Sequence, residues 1–262
     1  VSTGEQGFVR ELRPRDDFRD TIYEAGGGLL LRPVGNVDAR GVRAPESGDD
    51  DDEDGLVDEE TLNGYDDDED GQIDEDFAQI GNQMMVATMF DNTRLASELY
   101  PDHSPLGVQV VQQTYAWEND DVDDFVGFEF FVKNISVTPI EDVYIGFYAD
   151  SDIGLRTRPQ AAQDDMAGYW EGMVRTQDGS CEFVSIGYMY DEDGDSGEAP
   201  GYFGICFLGH DTDPTGQRAP TRVKIRSFQS FSGQQPFDQG GDPTNDAERY
   251  ELLSSERSEE RR

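Results

Sequence analysis

Two runs of alternating carboxylates carry the plainest chemistry in this chain. The first reads Asp50-x-Asp52-x-Asp54-Gly55-Leu56-Val57-Asp58, and the second Asp66-x-Asp68-x-Asp70-Gly71-Gln72-Ile73-Asp74. Acids at the first, third and fifth positions can present side-chain oxygens to a hard cation. The glycine takes the sharp turn, the seventh residue (Leu56 or Gln72) offers its carbonyl, and the ninth (Asp58 or Asp74) reaches the ion directly or through water. An acidic solvated linker would be the plainer account of such runs. It would not place Gly55 and Gly71 at one offset and Val57 and Ile73 two residues further on. The spacing predicts two calcium sites.

A third set of acids recurs where strands are expected to end. Asp150 and Asp152 close one segment, Asp164 and Asp165 follow in a crossing loop, and Asp191, Asp193 and Asp195 lie in a loop between two further strands. Loops gathered at one end of a sheet could bring these carboxylates onto one or two ions. The alternative is turn geometry alone, for which Asp and Gly are favoured residues.

The tandem runs depart from an EF-hand. Position twelve is Thr61 in one and Phe77 in the other, where an EF-hand needs a bidentate glutamate, and the flanks lack helical periodicity. The segment 48–77 resembles the thrombospondin type 3 and dockerin-like calcium loops, which occur as tandem repeats in secreted proteins. That resemblance implies calcium and leaves Asp58, Glu59, Asp74 and Asp76 as substitutes for the missing ligand. Over 46–253 the order of acidic loops followed by strands is similar to that of large secreted bacterial surface proteins of unassigned role.

Composition sets limits around these motifs. The formal net charge is −38 on 262 residues, and no Lys or Arg occurs between Arg43 and Arg94. Such a surface repels nucleic acid and anionic membranes, and bound divalent cations would relieve its self-repulsion. Adaptation to high salt would spread acid evenly and does not account for the spacing. No run approaches the roughly eighteen apolar residues of a membrane span. The first residue, Val1, is consistent with a cleaved secretory signal. Cys181 and Cys206 fit either one disulfide in an oxidising compartment or two buried thiols.

The elements that must position these groups read as almost all strand. Alternation marks strands at Met84–Phe90, Val108–Trp117, Phe125–Lys133, Val143–Tyr148, Phe183–Tyr190, Tyr202–Leu208 and Arg222–Phe231, and a short apolar run at Leu29–Leu31. Only Asp246–Ser254 has helical character, with Asn245 as its cap. The expected class is all-β, an antiparallel β-sandwich of immunoglobulin-like or jelly-roll type with a long calcium-binding loop region. Its segments are an N-terminal arm and strand (1–45), tandem calcium loops (46–78), the sandwich (79–245) and a short helix and tail (246–262).

Catalysis finds little support. His103 and His210 are the only imidazoles, and no Gly-x-Ser-x-Gly is present. With so many acids, a carboxylate pair of glycosidase type is uninformative. Trp117, Tyr169 and Trp170 could stack on a sugar, although buried strand aromatics are the commoner case. The expectation is therefore a secreted, extracellular, non-enzymatic structural protein, with calcium rigidifying the fold. It would self-associate by donating its N-terminal arm as a strand to a neighbour, the alternative being that the arm folds back onto its own chain. The alternatives are a calcium-dependent carbohydrate-binding or adhesion module, and a secreted hydrolase.

Overall fold

The computed structural model describes residues 11–15, 22–26, 36–37, 43–44, 62, 69, 71, 81–120, 122–149, 151–154, 164–176, 179–210, 225–231 and 235–255. The chain forms two compact units, Val1–Glu141 and Asp142–Arg262. Among the described residues the structure is antiparallel strand with little helix, the all-β class that the alternating segments predict. The sandwich expected over 79–245 spans the boundary between the units.

The first unit holds β1 (Ile22–Gly26), β2 (Asn36–Val37), β3 (Arg43–Ala44), β4 (Gln83–Phe90), β5 (Val108–Ala116) and β6 (Val126–Asn134). A four-stranded sheet runs β1-β4-β5-β6, and β2 pairs separately with β3. Register follows the hydrophobic alternation: Met84 lies opposite Tyr115 and Thr88 opposite Val111. That face carries a core cluster of Leu62, Met84, Val86 and Tyr115, with Val111 and Trp117 packed against it. Leu62 is fully buried. In the sequence it sits between the two acidic runs. On edge strand β6, Phe128 and Phe130 share a side and their rings stack, 6.2 Å apart.

Of the described pieces within 1–45, 22–26 and Arg13 pair with β4 of the same chain, while β2 and β3 pair with each other. β1 lies antiparallel to residues 83–87, and Arg13 forms a bridge to Phe90 with N···O distances of 2.9 and 2.8 Å. Arg15 stacks over the Phe90 ring at 3.7 Å. Asp91, which follows β4, is buried, and its carboxylate accepts backbone N–H bonds from Leu106, Gly107 and Val108 at 2.6, 3.1 and 2.9 Å. Its carbonyl oxygen lies 3.0 Å from Nε2 of His103, which must donate, while Nδ1 of that ring faces Glu11 at 3.4 Å. His103 thus links the arm to the start of the loop that leads to β5.

The second unit holds β7 (Asp165–Arg175), β8 (Cys181–Asp191) and β9 (Tyr202–Cys206), in the order β7-β8-β9. Helix α2 (Asp246–Ser254) begins at Asn245, whose side chain accepts the Glu248 N–H as the sequence predicts. Four local expectations need correction. Val143–Tyr148 is not a strand, and neither are the described residues 225–231. Alternation there is real, but among the described residues no neighbouring segment supplies a continuous ladder, and only Phe228 forms an isolated bridge. Conversely β7 is a strand where a crossing loop was expected, because Gly168 and Gly172 dilute its pattern. Helix α1 (Arg94–Leu99), capped by Thr93, is too short to show a helical period. The Leu29–Leu31 run lies outside the described residues.

Cys181 and Cys206 cannot pair within the chain. Cys206 lies opposite Ile186, and Cys181 is five residues away along β8. At about 3.3 Å per residue that is roughly 16 Å, against a disulfide reach of about 7 Å. Neither is in a disulfide in the structure. No helix among the described residues is long and apolar enough to cross a membrane.

Two measurements check this description. Leu62→Ala should lower the stability of the first unit by about 2–5 kcal/mol, read as an earlier urea transition, because it empties a fully enclosed site. The monomer, unfolded without reductant, should titrate as two free thiols.

Candidate metal centre

The acids predicted at strand ends meet at one end of the second unit's sheet. Asp165, first residue of β7, lies opposite Asp191, last residue of β8. The chain then turns through Glu192 and Asp193 into a single 3-10 turn, Gly194–Gly197, before reaching β9. Carboxylate oxygens of Asp164, Asp191 and Asp193 lie within 4.8 Å of one another. Asp164 and Asp191 occupy positions on alternate faces of the sheet. Their carboxylates can meet only if the cluster lies off the end of the sheet, beyond its last rung.

Hydrogen bonds fix two of these side chains and leave oxygens over. Oδ1 of Asp191 accepts the Gly194 N–H, an Asx-type contact that sets the turn. Its Oδ2 is buried and has no hydrogen-bond partner, in a residue only 6% exposed. Oδ2 of Asp165 accepts the Ile153 N–H at 2.9 Å, which ties the 151–154 segment to β7, while its Oδ1 is likewise buried and unpartnered. Burying a carboxylate oxygen without a donor is costly. Burial pushes the Asp165 pKa up, and Asp191, Asp152 and Asp164 push it further, against the lowering effect of the Ile153 N–H. Every charged neighbour acting on it is an acid. Two unsatisfied buried oxygens among like charges fit a cation bound by oxygen ligands.

Of the residues predicted from sequence, Asp164, Asp191 and Asp193 come together, with Asp165 joined to them and Asp152 near enough to act on Asp165. Asp150 lies outside the described residues, as does the side chain of Asp195. So do Asp50, Asp52, Asp54, Leu56, Asp58, Asp66, Asp68, Asp70, Gln72 and Asp74. Within that tandem segment Gly71 is described, and it has φ +102°, a conformation that favours glycine. A glycine-favouring φ is what a sharp turn at the sixth loop position calls for.

The candidate aromatics separate. Trp117 packs on the core of the first unit, Tyr169 stacks on Phe228 at 5.8 Å, and Trp170 is 45% exposed. Burial and the neighbouring Glu171 push the Tyr169 hydroxyl pKa up to about 12. Sequence reading passed over Tyr188, Tyr190 and Tyr202, which group on β8 and β9. Their signal is the alternation Tyr188-x-Tyr190 ending at an acidic loop. No family model matches the chain, and no characterised protein or solved structure matches it.

A charge-removing substitution separates the effects of ion and repulsion. Asp165→Asn should raise the thermal midpoint of the second unit in chelator and lower it in millimolar calcium. The amide oxygen still accepts the Ile153 N–H, while repulsion and ligand charge are both lost. The pH dependence follows from the raised pKa. The folded chain binds this proton more tightly than the unfolded one, so that stability is present at low pH and is lost as pH climbs from 3.8 through the folded value. In chelator, the gap between Asp165→Asn and the unsubstituted chain should therefore close in acid.

Proposed function

We propose that this protein is a calcium-binding structural protein of the extracellular space, a subunit of a filament or surface assembly rather than an enzyme. The observation that carries the calcium reading is the buried Asp191 oxygen without a hydrogen-bond donor, set among Asp164, Asp193 and Asp165. All-oxygen donors on loop-borne carboxylates suit calcium, which accepts irregular geometry, better than magnesium, which demands a near-ideal octahedron. The duplicated acidic loops at 50–58 and 66–74 support the same ion, and millimolar calcium outside cells would fill even weak sites. Calcium at the sheet end would join the 151–154 segment, the start of β7 and the β8–β9 turn.

Assembly through the arm takes a definite form on this fold. β1 and Arg13 add to β4 along the edge of the sheet within one chain. The same edge in a neighbour offers the same hydrogen bonds. Donation would then be an exchange of this strand, and an exchange that does not close propagates as a filament. Calcium would reduce the repulsion between subunits that each carry −38.

Calorimetry and sedimentation test both parts. Calcium should bind the full chain with a dissociation constant below millimolar, and Asp191→Asn should weaken one site. An ion held at a hundred times its dissociation constant stabilises by about 2.7 kcal/mol, so chelator should lower the thermal midpoint. Absence of binding heat and an unchanged midpoint would dispose of the calcium reading. In calcium the chain should sediment as multiples of 29.3 kDa and revert in chelator. A single 29.3 kDa species under both conditions would dispose of assembly.

A further inference from the structure

One face of the β7-β8-β9 sheet carries Trp170, Tyr188, Tyr190 and Tyr202. Directly opposed residues share a face, and the rungs Trp170–Ile186–Cys206 and Met166–Tyr190–Tyr202, with Tyr188 between them, all point the same way. The other face is put to different use: Phe228 packs against Tyr169 and Gly187, and Ile225 bonds to Ser185.

Glycine makes the aromatic face a shelf. The Tyr188 ring lies over Gly168, where a Cβ would stand 2.5 Å from Cζ. Trp170 lies over Gly172, where a Cβ would stand 2.7 Å from Cζ2. Only glycine lets both rings lie against the backbone at these positions. Tyr190 and Tyr202 stack at 5.5 Å with 28° between planes, and Tyr188 is 6.1 and 6.4 Å from them. These rings fill the space between one another, so they form no cage around a cation. What they present is an outward surface, with Tyr202 72% exposed at its rim.

The shelf ends at the acidic cluster. The rung after Met166–Tyr190 is Asp165–Asp191, and the cluster lies off that end, reachable from the aromatic face through Asp164. A ligand spanning both would need an apolar flat face for the rings and oxygens for the polar end. Anionic ligands are disfavoured by the chain's net charge of −38, and a purely apolar ligand would leave the polar end unused. A pyranose has both surfaces: a C–H face that stacks on an aromatic ring, and vicinal hydroxyls around its rim. Calcium takes six to eight oxygens, more than three or four aspartates supply with one ligand oxygen each, which leaves positions for those hydroxyls.

We propose that this face is a calcium-assisted binding surface for neutral saccharides, with a sugar ring laid on Tyr202 beside Tyr190 and its vicinal hydroxyls directed to the cation at the acidic end. The cation's share rests on the calcium site proposed above. The test uses the full chain on an array of neutral oligosaccharides cut from cellulose, xylan, mannan and chitin, in millimolar calcium and in chelator, beside oligolysine. At least one neutral glycan should be retained in calcium and released by chelator. Tyr202→Ala should weaken it by roughly tenfold, about the loss of one aromatic contact. Because Tyr202 is mostly exposed, that variant should keep its thermal midpoint and its calcium affinity. No glycan retained while calorimetry shows calcium bound overturns this inference and leaves the calcium site standing; no calcium heat overturns both. Retention that survives chelator, retention indifferent to Tyr202→Ala, or retention of oligolysine alone also overturns it.

Discussion

Acid without counter-charge is the constraint on which the rest of this structure depends. Fifty-eight acidic side chains face twenty basic ones, so most carboxylates must find something other than Lys or Arg. Among the described residues, ion pairs join Arg94 with Glu98 at 2.6 Å and Arg249 with Asp246 at 3.0 Å. Both involve exposed groups, and such pairs are worth little. The stronger device is the backbone N–H. Glu248 is held below the usual carboxyl range chiefly by the Thr244 N–H at the head of α2. Asp91 is satisfied by three successive amides of one loop.

Asp91 and Asp191 make the comparison that matters. Each follows or ends a strand, each is buried, and each fixes a turn by accepting backbone N–H groups. Asp91 has donors on both oxygens, and its site is complete as a hydrogen-bonded corner. Asp191 has a donor on one oxygen only, and the carboxylates of Asp164 and Asp193 lie beside it. Desolvation of an unpaired carboxylate among like charges is tolerated only where something else compensates it. The same kind of residue in the same kind of place therefore plays a structural part in one unit and points to a ligand in the other.

How much of this was legible depended on how local the signal was. Strands β4, β5, β6, β8 and β9 follow from alternation, and the α2 cap from Asn245 and Glu248 three residues apart. Strand β7 was hidden because Gly168 and Gly172 are there for the rings of Tyr188 and Trp170, a demand made by side chains from another rung and another position. Val143–Tyr148 alternates without becoming a strand, since alternation describes a face and pairing needs a partner. The acids around Asp191 were legible as a group, because loops at the end of one sheet converge. Which oxygens lack donors was not, because that depends on the amides of Ile153 and Gly194.

The tyrosines show the same limit from the other side. Tyr188 and Tyr190 are two apart on β8 and read as ordinary strand aromatics, and Tyr202 reads as the first residue of another strand. Only the register that sets Tyr202 opposite Tyr190 makes them one surface. The connection that leads from Tyr190 to Tyr202 contains the turn Gly194–Gly197, and Asp191 organises its start by accepting the Gly194 N–H. A cation drawn to the second oxygen of Asp191 would therefore hold the turn that aligns the aromatic shelf. The acidic end and the aromatic face share this one connection between β8 and β9, so loosening the first should blur the second.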